Sequence, residues 1–459
     1  MLAGAMGTEL HKRGLKPGEL PELIALTRPE LLVDIHRAYI EAGSRIIYAN
    51  TFGANRRKLE GKGYTVAQVV AAAVSAAREA ARGTNCLVAV DIGPIGELLE
   101  PLGTLDFDAA VAIFAEIAAA GEQAGADLAV IETMTDLQEA RAALLAVKEN
   151  TKLPALVTMS FEERGRTFTG CTVASMAKTL EGLGADAIGV NCSLGPVQLK
   201  QMLAELCSVT SLPVIAKPNA GLPDPIDGHY DLTPEAFAAA MQELVALGVS
   251  MVGGCCGTSP AYIHALHAAV ESMQPGQRSQ DAAGMICTAT NCVRLDGVRV
   301  IGERINPTGK KRFQQALLAG DLDYIVDVAV QEQDAGAQIL DVNVGYPGVD
   351  EKSMLPRVVK AIQATVDLPL MLDSSDPEAI EAGLRVYCGK AAVNSVNGKP
   401  ESMAAILPIV KKYGAAVVGL ALYEKGLPSR HRSASILRSG SSLQWRPRGF
   451  RARICGSTA

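Results

Sequence analysis

Val252-Gly253-Gly254-Cys255-Cys256-Gly257-Thr258 ends a short apolar run with two glycines and two adjacent cysteines. Val249, Met251 and Val252 favour a strand, and the glycines mark where it turns. Adjacent cysteines bridge one another only in a strained bond, so a vicinal disulfide is a poor expectation. Two thiolates beside one open turn can instead reach a single soft metal. A third thiol, Cys192, closes the earlier run Gly189-Val190-Asn191-Cys192. Three thiolates with one vacant position match a catalytic zinc, because structural sites usually close with four protein ligands. For any of these cysteines alone, the alternative is a buried structural thiol.

The same strand-then-polar pattern recurs upstream. Apolar runs at 45–49, 87–91, 128–133, 155–160, 187–192 and 214–219 alternate with helical stretches at 29–42, 66–82, 108–124, 136–149, 173–183, 196–207 and 234–247. With the opening Met1-Leu2-Ala3-Gly4-Ala5-Met6-Gly7-Thr8 and the Cys255–Cys256 run, about eight strands are each followed by a helix. This predicts an α/β chain whose first region, 1–273, is a (β/α)8 TIM barrel. Asn50, Asp91, Glu132, Ser160, Cys192, Asn219 and Cys255 all fall at strand C-terminal ends, where such barrels place their chemistry.

The 459 residues are 48% hydrophobic and 20% charged, with a net charge of −6, which fits a globular chain of several domains. No dense Lys/Arg tract precedes the last stretch, which argues against nucleic acid as a partner. No signal peptide and no apolar run of bilayer length stand out, so no membrane role is expected. Ten cysteines are too sparse for a disulfide framework and point to the reducing cytoplasm.

After Val270 the character changes. Gln274-Pro275-Gly276-Gln277 opens a polar linker, 274–297. Strand-like runs at 298–303, 338–343, 370–373, 392–396 and 416–420, with helices near 323–335, 351–365, 377–387 and 401–413, then predict a second, incomplete (β/α) barrel over 298–425. Its strand ends carry Glu303, Asp341, Asn343, Asp373 and Asn394. Residues 426–459 lose all periodicity, gain Arg and Ser, and hold the lone Trp445. They read as an aberrant or disordered tail, from a wrong-frame read-through or a truncated gene, in preference to a basic arm for nucleic acid or acidic lipid.

Zinc ringed by three thiolates is a weak electrophile suited to holding another thiol as a thiolate. Glu132 and Asp91 are placed to hold an ammonium, the amides of Gly4 to Gly7 a carboxylate, and Asn191 and Asn219 to orient it. An amino acid carrying a thiol satisfies them all. For Glu132 the alternative is a rim carboxylate. Asp341, Asn343, Asp373 and Asn394 suit a flat heteroaromatic ring with an amidine-like edge, ordinary rim polarity being the alternative.

The first region resembles the homocysteine S-methyltransferase family through Gly4-Ala5-Met6-Gly7-Thr8, Asn50-Thr51-Phe52-Gly53-Ala54-Asn55, Glu132-Thr133, Gly189-Val190-Asn191-Cys192 and Gly253-Gly254-Cys255-Cys256-Gly257. The resemblance implies that Cys192, Cys255 and Cys256 bind Zn2+, which activates the sulfur of homocysteine, with Glu132 contacting the substrate. The second region resembles the pterin-binding family through Ile301-Gly302-Glu303-Arg304-Ile305-Asn306-Pro307-Thr308-Gly309, Asp341-Val342-Asn343-Val344-Gly345 and Leu372-Asp373-Ser374-Ser375. By that likeness Asp341, Asn343, Asp373 and Asn394 face methyltetrahydrofolate.

Together the two regions resemble the N-terminal part of the cobalamin-dependent methionine synthases. In that family a cobalamin carries the methyl group from folate to homocysteine, giving methionine. No cobalamin-binding region is present in this sequence, so a separate cobalamin-binding chain or domain is the expected partner. The alternatives are a stand-alone homocysteine methyltransferase with a small donor such as S-methylmethionine or a betaine, and a non-catalytic zinc- or pterin-binding remnant. Two positions depart from the family pattern: Ala3 stands where Asp is usual, and Tyr423-Glu424 where Asp-Glu is usual.

Overall fold

Several helix starts in this chain are set by capping side chains. Thr65 forms a capping box with Gln68 at the head of Val66–Ala81, and Asp106, Asp136, Thr172 and Thr233 each accept from a first-turn amide of the helix that follows. The computed structural model describes residues 1–16, 18–224, 230–279 and 283–420. It divides into two units between residues 281 and 282.

In the first unit β1 (Ile46–Tyr48), β2 (Leu87–Ile92), β3 (Leu128–Met134), β4 (Ala155–Met159), β5 (Ala187–Asn191), β6 (Val214–Lys217) and β7 (Met251–Val252) lie side by side, in chain order, in one parallel sheet. The opening residues close it into a barrel. Leu2 N donates to Val252 O of β7 (2.8 Å) and Ala3 N to Ile46 O of β1 (3.1 Å). Met1 to Ala3 thus fills the eighth strand position. The segment is short because a helix, Met6–Lys12, begins inside the opening run.

Side chains alternate across each strand, so every second residue faces the barrel interior. Leu2, Tyr48, Ala89, Val130, Leu156 and Ile215 form its apolar filling. Continuing the same alternation turns Asp91, Glu132, Thr158 and Lys217 inward, each two residues further on. The interior is therefore apolar up to the last turn of the strands and polar at their C-terminal ends.

Residues inside the stretch read as a linker form an antiparallel hairpin of β8 (Met285–Cys287) and β9 (Cys292–Arg294). Its Ile286 and Val293 pack on Ile339, Met371 and Ala392, and Cys287 exchanges two backbone hydrogen bonds of 2.9 Å with Lys390. Each apolar triplet is too short to show a period in the sequence, and only the packing fixes it. The main sheet is parallel, in the order β10 (Ile301–Gly302), β11 (Ile339–Asn343), β12 (Leu370–Asp373), β13 (Ala392–Asn397), β14 (Ala416–Leu420). Among the described residues β10 and β14 each pair on one side only. The readings of Tyr423, Glu424 and the tail at 426–459 lie outside the described residues. Among those described, no helix is long and apolar enough to cross a membrane.

Candidate metal centre

Beyond β5, Cys192 (φ 61°) and Ser193 (φ 57°) both adopt left-handed backbone. For residues with a side chain this costs on the order of 1–2 kcal/mol each, and such strain collects at functional sites. Here it turns the Cys192 thiol to 3.8 Å from Cys256 Sγ. The three Sγ atoms of Cys192, Cys255 and Cys256 lie within 4.8 Å of one another. The loop after β7 is pinned from several sides. Cys255 N donates to Pro218 O (2.8 Å) and Ala220 N to Cys256 O (2.9 Å). Thr258 Oγ1 donates to Cys255 O (2.6 Å) and accepts from Ala5 N (3.2 Å).

Two glycines make this packing feasible. A Cβ on Gly4 would stand 2.8 Å from the Tyr39 ring and 2.9 Å from Thr258 Oγ1. Gly257 has φ +82°, and a Cβ there would lie 2.4 Å from the Tyr230 ring. Gly257→Ala is expected to cost about 2 kcal/mol or more, because strain and clash add. A lowered urea midpoint for the first unit checks this.

The donor set fits zinc. A tetrahedral ion with Zn–S bonds of about 2.3 Å has S···S edges of about 3.8 Å. The Cys192–Cys256 separation of 3.8 Å matches this edge and is far longer than the ~2.05 Å of a disulfide. Hydrogen bonds from Cys192 and Cys255 hold the Cys256 thiol well below the usual range. The neighbouring Cys255 and Cys256, with burial, push Cys192 up. Three thiolates so close do not coexist without a compensating cation.

Beside the thiols, Asn191 Nδ2 donates to Thr133 Oγ1 (2.7 Å) and approaches Cys255 Sγ (3.9 Å), while its Oδ1 accepts from Thr133 N (2.9 Å). Thr133 itself has φ 63° and sits where the β3–β4 register shifts. Asn191 thus ties that irregularity to Cys255. Glu132, expected to contact a substrate, accepts from Lys217 Nζ at 2.7 Å, and both side chains are buried. Lys217 Nζ also lies 3.8 Å from the centre of the Tyr48 ring. Burial opposes charge on Lys217, but Glu132, Tyr48 and Cys255 together outweigh it and raise the lysine pKa. Burial, then Glu132, pushes the Asp91 carboxyl well up. Asp91 Oδ1, Thr158 Oγ1 and Asn219 Oδ1 are buried without a hydrogen-bond partner.

The sequence by itself does not single out Lys217, Thr158 or Tyr230. Alternation from Ile215 and Leu156 was the available signal for the first two. Nothing local marks Tyr230, whose hydroxyl joins the hydrogen bonds on Cys256.

In the second unit the strand-end residues form a row. Asn343 pairs in register with Asp373, and Asp373 with Asn394. Asn343 Nδ2 donates to Asp373 Oδ2 (2.9 Å) and Asn394 Nδ2 to Asp341 Oδ1 (3.3 Å). Burial, then Asp373, lifts Asp341 from 3.8 to about 7. The folded state therefore binds the proton more tightly than the unfolded chain. Stability of this unit should fall as pH rises from about 4 to about 7. Asp341→Asn is expected to flatten that slope in urea unfolding measured across the same pH range.

A family model described as homocysteine S-methyltransferase matches residues 1–270. The chain belongs to the homocysteine S-methyltransferase family. The pterin binding enzyme model matches residues 302–435 of this family member. Methionine synthase of Mycobacterium tuberculosis is 33% identical over 457 residues, and that of Mycobacterium leprae 32% over 464. Each comparison covers 92% of this chain but only 38% of the relative, so the chain spans well under half the length of these curated proteins. Crystal structures of a homocysteine methyltransferase from Escherichia coli, in oxidized and metallated forms, superpose with a TM-score of 0.51 at 25% identity, covering 58% of this chain and 94% of theirs.

Proposed function

We propose that the first unit transfers a methyl group to the sulfur of homocysteine, giving methionine, with zinc held by Cys192, Cys255 and Cys256. The convergence of their three Sγ atoms within 4.8 Å carries this reading. Zinc so ligated supplies a seat at which a substrate thiol loses its proton near neutral pH and stays nucleophilic. The chain's own groups bind and orient the rest of the substrate. Asn191 steadies Cys255 and Thr133, Gly4 keeps the backbone close at the opening segment, and Asn219 offers a buried acceptor. Asp341, Asn343, Asp373 and Asn394 would face methyltetrahydrofolate, since carboxylates suit the N–C–N edge of a pterin. A cobalamin on another part of a longer protein, or on a separate chain, would carry the methyl group between the two substrates. Free thiols at the centre suit the reducing cytoplasm.

A small donor such as S-methylmethionine is the second reading, because the Escherichia coli homocysteine methyltransferase is matched over 94% of its chain. The test supplies the purified, reduced chain with homocysteine and either methylcobalamin or S-methylmethionine, and measures methionine and bound zinc. Methionine from methylcobalamin, with about one zinc per chain, supports the first reading. Methionine from S-methylmethionine alone favours the second. Zinc without any turnover leaves a binding remnant. Folded protein without zinc sinks the proposal.

A further inference from the structure

Cys287 and Cys292 stand directly opposite one another on the β8–β9 hairpin, with Thr288-Ala289-Thr290-Asn291 as the connection. Rungs of an antiparallel ladder alternate between hydrogen-bonded and non-hydrogen-bonded pairs. Thr288 N donates to Asn291 O (2.9 Å) and Leu295 N to Gly284 O (2.8 Å), which makes the Cys287–Cys292 rung a non-hydrogen-bonded one. The backbone of Cys287 agrees, since its N–H and C=O both turn to Lys390 instead. On such a rung the Cα atoms are about 4.5 Å apart, inside the roughly 4.4–6.8 Å that a disulfide spans. Ile286 and Val293, one rung away, face the apolar core, so the two cysteines share the hairpin's other face. Both are thiols.

A third thiol, Cys388, lies on the segment that pairs with β8 through Lys390. Two residues from that rung, it is a diagonal neighbour of Cys287, about 7–8 Å away and beyond the span of a disulfide. Gln363 also holds it in place: Cys388 N donates to Gln363 Oε1 (3.0 Å), and Gln363 Nε2 donates to Cys388 O (3.0 Å). Among the described residues these three thiols do not converge as Cys192, Cys255 and Cys256 do, which argues against a second metal. Exposure separates the facing pair. Cys287 is fully buried, whereas Cys292 is half-buried.

We propose that Cys287 and Cys292 form a redox-modification site, a dithiol that a low-molecular-weight disulfide oxidises to a cross-strand bridge. Cys292, the accessible thiol, loses its proton and attacks one sulfur of the small disulfide. One small thiolate leaves, and Cys292 is held as a mixed disulfide. Cys287 then loses its proton and attacks Cys292 Sγ, expelling the second small thiolate. Two protein thiols are thus oxidised by two electrons, and the small disulfide is reduced to two thiols. The bridge closes the hairpin beside its turn. It thereby fixes the element whose Ile286 and Val293 pack on Ile339, Met371 and Ala392, and whose Cys287 O accepts from Tyr387 Oη (3.0 Å). In a reducing compartment such a bridge is transient and forms under oxidising conditions. The site is independent of the homocysteine reading of the first unit.

The zinc-loaded full chain is equilibrated with oxidised and reduced glutathione over a series of ratios, its remaining thiols are alkylated in denaturant, and it is digested with trypsin. Both cysteines fall in the single peptide 279–294, which holds no other. Under oxidising ratios that peptide should emerge unlabelled and two hydrogens lighter than its dithiol form. The folded chain should keep the bridge at ratios about tenfold more reducing than the urea-unfolded chain tolerates, because the native register holds the two sulfurs together. Cys388→Ser should leave the bridge intact. Cys292→Ser should leave Cys287 a thiol, and Cys287→Ser should trap Cys292 as its glutathione mixed disulfide. The proposal is overturned if the wild-type peptide stays doubly alkylated, if the bridge is no more stable in the folded than in the unfolded chain, or if Cys287 joins Cys388 instead. If Cys287→Ser does not fold, the wild-type map and Cys292→Ser, changed at the half-buried position, decide.

Discussion

Cys255→Ala should abolish zinc binding and lower homocysteine-dependent methyl transfer by about a thousandfold or more. Two losses multiply. A free thiol with a pKa near 8.5 is only a few per cent thiolate at pH 7, so losing the ionising seat costs roughly 30-fold. Losing the fixed orientation of the sulfur costs at least as much again, since positioning is worth several orders of magnitude in favourable cases. Removing one of three thiolates suffices, because a two-thiol remnant no longer matches a site that needs three protein ligands. Cys207, which is buried but outside the cluster, provides the contrast: Cys207→Ala should keep its zinc. Metal analysis of both variants, with methionine formation measured in parallel, decides the matter. Zinc retained in Cys255→Ala would return these cysteines to a packing role.

Lys217→Met should destabilise the first unit by about 3–5 kcal/mol, the usual cost of leaving one member of a buried ion pair unpaired. Lys217 Nζ and Glu132 Oε2 are 2.7 Å apart and shielded from water. Solvent screening therefore offers little relief to an orphaned Glu132. Glu132→Gln/Lys217→Met should recover most of the loss, because two neutral side chains carry no unpaired charge. Urea unfolding of the single and double variants measures both effects. A single-variant cost under about 1 kcal/mol would mean that the pair behaves like an exposed one.

Much of the fold is legible in the chain itself. Strands β2 to β6 fall inside or within a residue or two of the apolar runs, because a strand buried on both faces must be apolar throughout its length. The hairpin at β8 and β9 was not legible, since two three-residue strands carry too few positions to show a period. Of the site, the three cysteines stood out because two share a glycine-rich turn. Lys217 and Thr158 did not, because one polar residue in an apolar run gives no hint of what faces it across a barrel.

By itself the sequence determined the order of the main strands and helices, the β8–β9 hairpin apart, together with the polar groups at the strand ends and the presence of three thiols. These are local properties, written in periodicity and in turn chemistry. Only the tertiary structure decided which groups meet. Cys192 reaches Cys256 across 64 positions and Lys217 reaches Glu132 across 85. Both contacts depend on closure of the sheet through Leu2, and the first also on the left-handed turn at Cys192 and Ser193. Distances between residues so far apart in sequence are set by how the whole sheet curls, which no single strand specifies.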